Sequence, residues 1–179
     1  MSNITVIETF CQSWEERAIL SFCIKDIDYL YTISSRLELT DFIDPEHQTI
    51  LMILKGLQQK GIEKFDVSLI INEAENLGVL DNAGGAEFIR SIANMEISKE
   101  NFNVLLETVA EASTKYKLYK RVDGYRNKLL NSDNSLKSVD LIGGLEADIL
   151  DISTYRDSTE EPIDLSAGID EYIESLKDI

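Results

Sequence analysis

No stretch of the sequence approaches the eighteen apolar residues of a membrane-spanning helix, and no basic segment leads into an apolar one at the N-terminus. A cytoplasmic protein, neither secreted nor membrane-spanning, is expected. Basic residues are scarce: 17 Lys and Arg stand against 33 Asp and Glu, a net charge of −16. A surface that negative repels phosphate backbones, so the domain as a whole is not expected to bind duplex DNA. Cysteine is nearly absent. Cys11 and Cys23 form no CxxC and lie far from His47, the single histidine, so no metal site is expected. In a reducing compartment the two thiols read as small buried apolar groups rather than a disulfide. The dipeptide Gly-Lys does not occur, which removes the phosphate-cradling loop of nucleotide hydrolases. His47 has no nucleophile in motif context and reads as a residue that caps or packs at the start of its helix. The carboxylates are scattered, and none forms an evident acid–base pair. No catalytic, cofactor-binding or metal-ligating residue is assigned, and the chain itself is not expected to be an enzyme.

Strand alternation is also missing over any useful length, and what remains is helical periodicity. Apolar residues make up 44% of 179 positions, enough for one sizeable core with a smaller appended piece. Ser13-Trp14-Glu15-Glu16 has the form of a capping box, opening a helix with Trp14, Ala18, Ile19, Phe22 and Cys23 at three-to-four spacing. A second helix, Asp26 to Arg36, is expected to turn Ile27, Leu30, Tyr31 and Ser34 to one side. Asp44-Pro45 is a start signal, because proline at the first helical position gives up only an N–H without a partner. From there Ile50, Leu51, Leu54 and Leu57 form a stripe ending near Gly61. Asp66 is expected to cap a helix with Leu69, Ile70, Ala74 and Leu77 inward and Gly78 as its left-handed stop. Gly84-Gly85 turns sharply into a short helix bearing Phe88, Ile89 and Ile92.

The longest element is expected from Ser98 to about Leu130. A polar break at Asn131 to Ser135 separates it from a partner helix at about Leu136 to Ile152. Phe102, Leu105, Val109, Ala112, Tyr116 and Tyr119 repeat at coiled-coil spacing, after which the stripe slides to Leu118, Val122, Tyr125 and Leu129. The returning helix has Ile142, Leu145, Ile149 and Ile152. Such a hairpin carries more apolar surface than its two helices can cover for each other. The excess either packs on the preceding head or pairs with a second copy, with Phe102, Leu105, Val109, Tyr116, Tyr119, Leu145 and Ile149 as contacts. Gly143-Gly144 inside the second helix admits two explanations, close approach of another helix or a local break.

Six of the 17 basic residues, Lys115, Lys117, Lys120, Arg121, Arg126 and Lys128, fall within fourteen positions of the long helix. They either complement acidic residues such as Glu146, Asp148 and Asp151, or make a local contact to nucleic acid or an acidic partner. From Ser153 the periodicity stops and Pro162 follows, which reads as a linker. Beyond it Ile169, Tyr172, Ile173 and Leu176 line one face of a short amphipathic helix too short to stand alone, which folds back on the head or docks on another chain. The expected fold class is all-α: a globular helical head (1–97), a projecting helical hairpin (98–152), a flexible linker (153–166) and a docking helix (167–179).

Several segments together resemble the N-terminal collar domain of DnaB-family replicative DNA helicases, in a divergent, phage-like form. Glu15-Glu16-Arg17-Ala18-Ile19-Leu20 resembles that family's opening helix, Phe42 to Leu51 its aromatic loop and histidine-led helix, with His47 at the family's histidine. Phe65-Asp66-Val67 resembles the start of its next helix, and Leu80 to Ile89 its Gly-Gly turn. Asn94 to Ser98 departs from the family's usual turn. The resemblance implies a hairpin that pairs chains, three pairs forming a collar to which primase and a helicase loader bind. It also implies that Ile169, Tyr172, Ile173 and Leu176 dock on a neighbouring subunit. ATP and magnesium would belong to a motor domain absent from this chain, in an ATP-dependent parent helicase. An alternative from another class is a small acidic adaptor or inhibitor that binds a basic partner.

Overall fold

The computed structural model describes residues 3–131 and 137–159, with side chains from residue 7 to 154. Among the described residues every regular element is helical. In chain order they are α1 (Asn3–Phe10), α2 (Ser13–Lys25), α3 (Ile27–Arg36), α4 (Pro45–Gln59), α5 (Val67–Asn76), α6 (Gly85–Ala93), α7 (Phe102–Asn131) and α8 (Ser138–Thr159). Short 3-10 turns at Leu39–Asp41, Asp81–Ala83 and Lys99–Asn101 join them. No helix among these residues is long and apolar enough to cross a membrane.

The head is built around α2, which is buried nearly all round: Ala18, Ile19, Leu20, Ser21, Phe22, Cys23 and Ile24 are all inside. A helix apolar on every side requires neighbours on every side. α3, α4, α6 and the first half of α7 supply them. α4 contributes Ile50, Leu51, Ile53, Leu54 and Leu57, and α5 and α6 close that side with Ile70, Ala74, Ile89 and Ile92. The caps follow the sequence signals. The Asp44 side chain accepts from Glu46 N–H at 2.9 Å, and Asp66 accepts from Ser68 N–H at 2.7 Å.

Four residues expected to face inward are not inward. Trp14 is about half exposed in the first turn of α2, and Leu77 lies past the end of α5, where the packed face has run out. On α3 the buried face is Leu30 and Ile33, continued by Leu37, which turns Tyr31 and Ser34 to solvent. α1 was not among the expected helices. It lies on α7 through Phe10, whose ring centroid is 5.9 Å from that of Tyr116 and 5.3 Å from that of Tyr119.

The capping box at Ser13 does not form. Ser13 is the first helical residue, Gln12 precedes it with no side-chain cap, and Glu16 is recruited for something else. Its carboxylate is buried and accepts from the backbone N–H of Ile43 at 2.9 Å and of Asp44 at 3.3 Å. It also takes a hydrogen bond from His47 Nδ1 at 2.7 Å. Buried polar groups persist only when paired, and here one carboxylate satisfies the turn that launches α4. The His47 ring stacks on Phe88 at 5.8 Å, and its Nε2 finds no hydrogen-bond partner among the described residues. The Gly84 backbone, at φ +77°, passes so close that a Cβ there would lie 2.5 Å from Phe88 Cδ1. Glycine is therefore required by both conformation and space. Segments far apart in the chain (α2, the Phe42 loop and the Gly-Gly turn) thus meet at one buried point.

Candidate interaction surface

The hairpin grows out of the head. Phe102 packs edge-on to Phe22 at 5.3 Å and against Tyr29 at 4.5 Å, and Leu105, Leu106 and Val109 complete the same core. This corrects the expectation that Phe102, Leu105 and Val109 meet a second copy. They are buried within the single chain, because the coiled-coil spacing in this stretch matches α2 rather than another hairpin. Tyr116 and Tyr119 are partly covered, by Phe10.

A second buried carboxylate fixes the angle at which α7 leaves the head. Asp41 is fully buried in the turn before the Phe42 loop, where its Oδ2 accepts from Glu38 N–H at 2.7 Å. Its Oδ1 accepts from Ser113 Oγ at 2.5 Å and from Lys117 Nζ at 2.7 Å. Lys117 belongs to the basic cluster, and the rest of that cluster is engaged as well. Lys115 pairs with Glu111 at 3.3 Å, Arg121 with Asp148 on α8 at 3.3 Å, and Arg126 with Asp123 at 2.9 Å. Lys120 and Lys128 lie over the rings of Tyr116 and Tyr125. The cluster complements the chain's own acidic and aromatic groups, which favours the first of the two readings given for it.

Beyond Lys117 the two helices cover each other only in part. Tyr125 reaches α8, and its hydroxyl sits where a Cβ on Gly144 would come within 2.6 Å. Partial burial and the hydrogen bond to Asp148 both raise the Tyr125 phenol above its ordinary pKa. Close approach therefore accounts for Gly144, and the approaching helix is α7. Gly143 faces open space. α8 continues to Thr159 rather than ending at Ile152; no glycine or proline falls between Ile152 and Pro162.

What the pair leaves uncovered is apolar. On α7 Leu118, Val122 and Leu129 share one side at four- and seven-residue spacing, with Val122 51% and Leu129 63% exposed. On α8 Ile142 and Ile149, seven positions apart and so on one stripe, are 57% and 46% exposed, and Leu145 beside them is half-buried. Leu130, Val139 and Leu150 are exposed as well, so the outer hairpin carries more apolar surface than its two helices cover for each other. Periodicity located α8's contribution through Ile149. On α7 the signal was the slide of the stripe to Leu118, Val122 and Leu129, which marks where the head ends. Among the described residues no group of His, Cys, Asp and Glu is placed to hold a metal ion. The expected docking residues Ile169, Tyr172, Ile173 and Leu176, and most of the expected linker, lie outside the described residues.

The fold is a helical head whose last core helix extends into a hairpin, with a buried carboxylate bracing the junction. Residues 12–111 match the family described as the DnaB-like helicase N terminal domain, and the chain belongs to that family. It is 25% identical over 138 residues to the replicative DNA helicase DnaB of Leifsonia xyli subsp. xyli, a match covering 77% of this chain. The chain spans only 29% of that relative's length. Its fold is similar to the crystal structure of the N-terminal domain of DnaB helicase from Mycobacterium tuberculosis. The TM-score is 0.71 with 20% identity, over 79% of this chain and 97% of that one.

Proposed function

We propose that this chain is the collar domain of a DnaB-like replicative DNA helicase, and that its work is assembly. Two copies pair through the outer half of the hairpin, and such pairs build the collar of a larger ring. The observation that carries the reading is the stripe of Leu118, Val122, Leu129, Ile142 and Ile149, apolar and exposed on an otherwise acidic chain. Membership of the family supports the helicase context. Unwinding and ATP hydrolysis belong to a motor domain elsewhere in the parent protein. The collar also offers its surface to primase and to a loader, and residues 169–176 dock on a neighbouring subunit.

The pairing is tested by Val122→Asp. An unpaired carboxylate at a closed apolar seam is costly, and at an exposed position it is nearly neutral. Native mass spectrometry is expected to show dimers of the wild type and mostly 20.2 kDa monomers of the variant, with unchanged helical circular dichroism. A variant that dimerises like the wild type contradicts the proposed seam. For the partners, a purified primase that binds the chain at physiological salt supports the docking role, and no binding removes it.

A further inference from the structure

A groove of about 750 Å³ lies at the foot of the hairpin, between the start of α4, the middle of α7 and the returning part of α8. Its volume is that of a cleft with room for several side chains. Ile7, Pro45, Tyr116 and Ile152 give it apolar walls. Lys117, Lys120 and Arg121 also line it and outnumber the carboxylates there, Glu38 and Asp151. That balance runs against the net charge of −16 on the chain as a whole. Lys117 is bound to Asp41, but the other two cations keep capacity for a ligand. Lys120 lies over the Tyr116 ring and pairs with no carboxylate among the described residues. Arg121 meets Asp148 through one nitrogen of a guanidinium that carries five N–H donors. The groove therefore suits an occupant that is both apolar and acidic.

We propose that this groove is the resting site of the chain's own C-terminal segment, residues 169–179, in the unassembled molecule. Residues 160–179 hold seven acidic residues and one basic residue, so their charge complements the groove. Ile169, Tyr172, Ile173 and Leu176 recur at helical spacing, with Asp170, Glu171 and Glu174 between them. Eleven residues are too few to hold a helix alone in water, so such a stripe needs a receiving surface. An amphipathic helix laid in an apolar cleft with charges along its rim is a recurrent mode of recognition. The path of the chain allows it. α8 returns to the head, where it touches α3, and its Ile152 is itself part of the groove wall. Thr159, where α8 ends, is two helical turns beyond Ile152, about 10 Å. Ten further residues lead to Ile169, and extended chain of that length spans about 33 Å, ample for a return. A neighbouring subunit that takes up residues 169–176 must lift them from this groove, which makes the groove their holding place before assembly.

Hydrogen exchange of the full chain, followed at a concentration where it is a 20.2 kDa monomer, tests the proposal. Amides 169–179 are expected to exchange at least about tenfold more slowly than those of an unstructured peptide. Two single changes are each expected to remove most of that protection. Lys120→Glu reverses a charge on the exposed rim, and Ile173→Asp lies outside the head altogether. Raising salt to about 1 M is expected to weaken the protection in the wild type, since the charges at the rim are screened. Unprotected amides in the wild-type monomer overturn the proposal, and so does protection that survives Lys120→Glu. Protection that rises only as dimers form, and is missing from the Val122→Asp variant, overturns it in favour of docking on a second copy and leaves the pairing reading intact. A chain that never associates but keeps these amides protected supports the groove while the pairing reading fails.

Discussion

Two buried carboxylates do more to fix this structure than their number suggests. Glu16 accepts from two backbone N–H groups and from His47, and no neutral side chain can replace it. Gln at that position puts an amide N–H₂ against one of those N–H donors. Glu16→Gln is therefore expected to lose about 3 kcal/mol of stability, read as a lower urea midpoint with unchanged slope; a loss within error of zero contradicts the hub. The thiols give a second test. Burial, aided by the charges of Glu16 and Asp44, pushes the Cys11 thiol up to about 12, and burial alone raises Cys23 further. Both are held as unreactive thiols at pH 8, so alkylation is expected to be slow in the native protein and fast in guanidinium. The sign of the linkage follows. Because the folded pKa of Cys11 lies above the ordinary 9.0, its contribution to stability is complete below pH 9 and declines as pH rises toward 12. Rapid native alkylation of Cys11 at pH 8 contradicts this environment. Sequence pattern gave Glu16 a local capping role; its long-range role was invisible because the Ile43 and Asp44 N–H groups lie 27 and 28 positions away.

At the scale of elements, most helices were readable because their caps and periods agree. Asp44-Pro45, Asp66 and the Gly84-Gly85 turn all act where their chemistry places them. α1, at eight residues too short to hold alone, packs on α7. The paired glycines of α8 separate two effects that sequence could not. Gly143 meets open space, so Gly143→Ala is expected to gain about 1 kcal/mol from helix propensity alone. Gly144→Ala sets a methyl against the Tyr125 hydroxyl and is expected to gain less, since Tyr125 must give up its place beside Asp148. Equal gains in urea denaturation contradict the close packing of the hairpin at that point.

The whole molecule divides α7 between two tasks. Its first half is core and its second half is surface, and the heptad-like repeat from Phe102 to Tyr119 starts in the core and reaches the hairpin before the stripe slides to Leu118, Val122 and Leu129. That is why Phe102, Leu105 and Val109 looked like contacts to a second copy: spacing reports that a side chain faces a partner helix, not which chain the helix belongs to. Leu105→Asp is accordingly expected to unfold the head, seen as loss of the cooperative thermal transition, whereas Val122→Asp leaves that transition in place. A cooperative Leu105→Asp variant at the wild-type melting temperature contradicts the division. The central claim is that the outer hairpin is incomplete without another copy, and it is tested most directly by the mass of the wild-type chain in solution across the micromolar range. Sedimentation equilibrium is predicted to shift from 20.2 kDa toward twice that value as concentration rises. A mass fixed at 20.2 kDa throughout contradicts it.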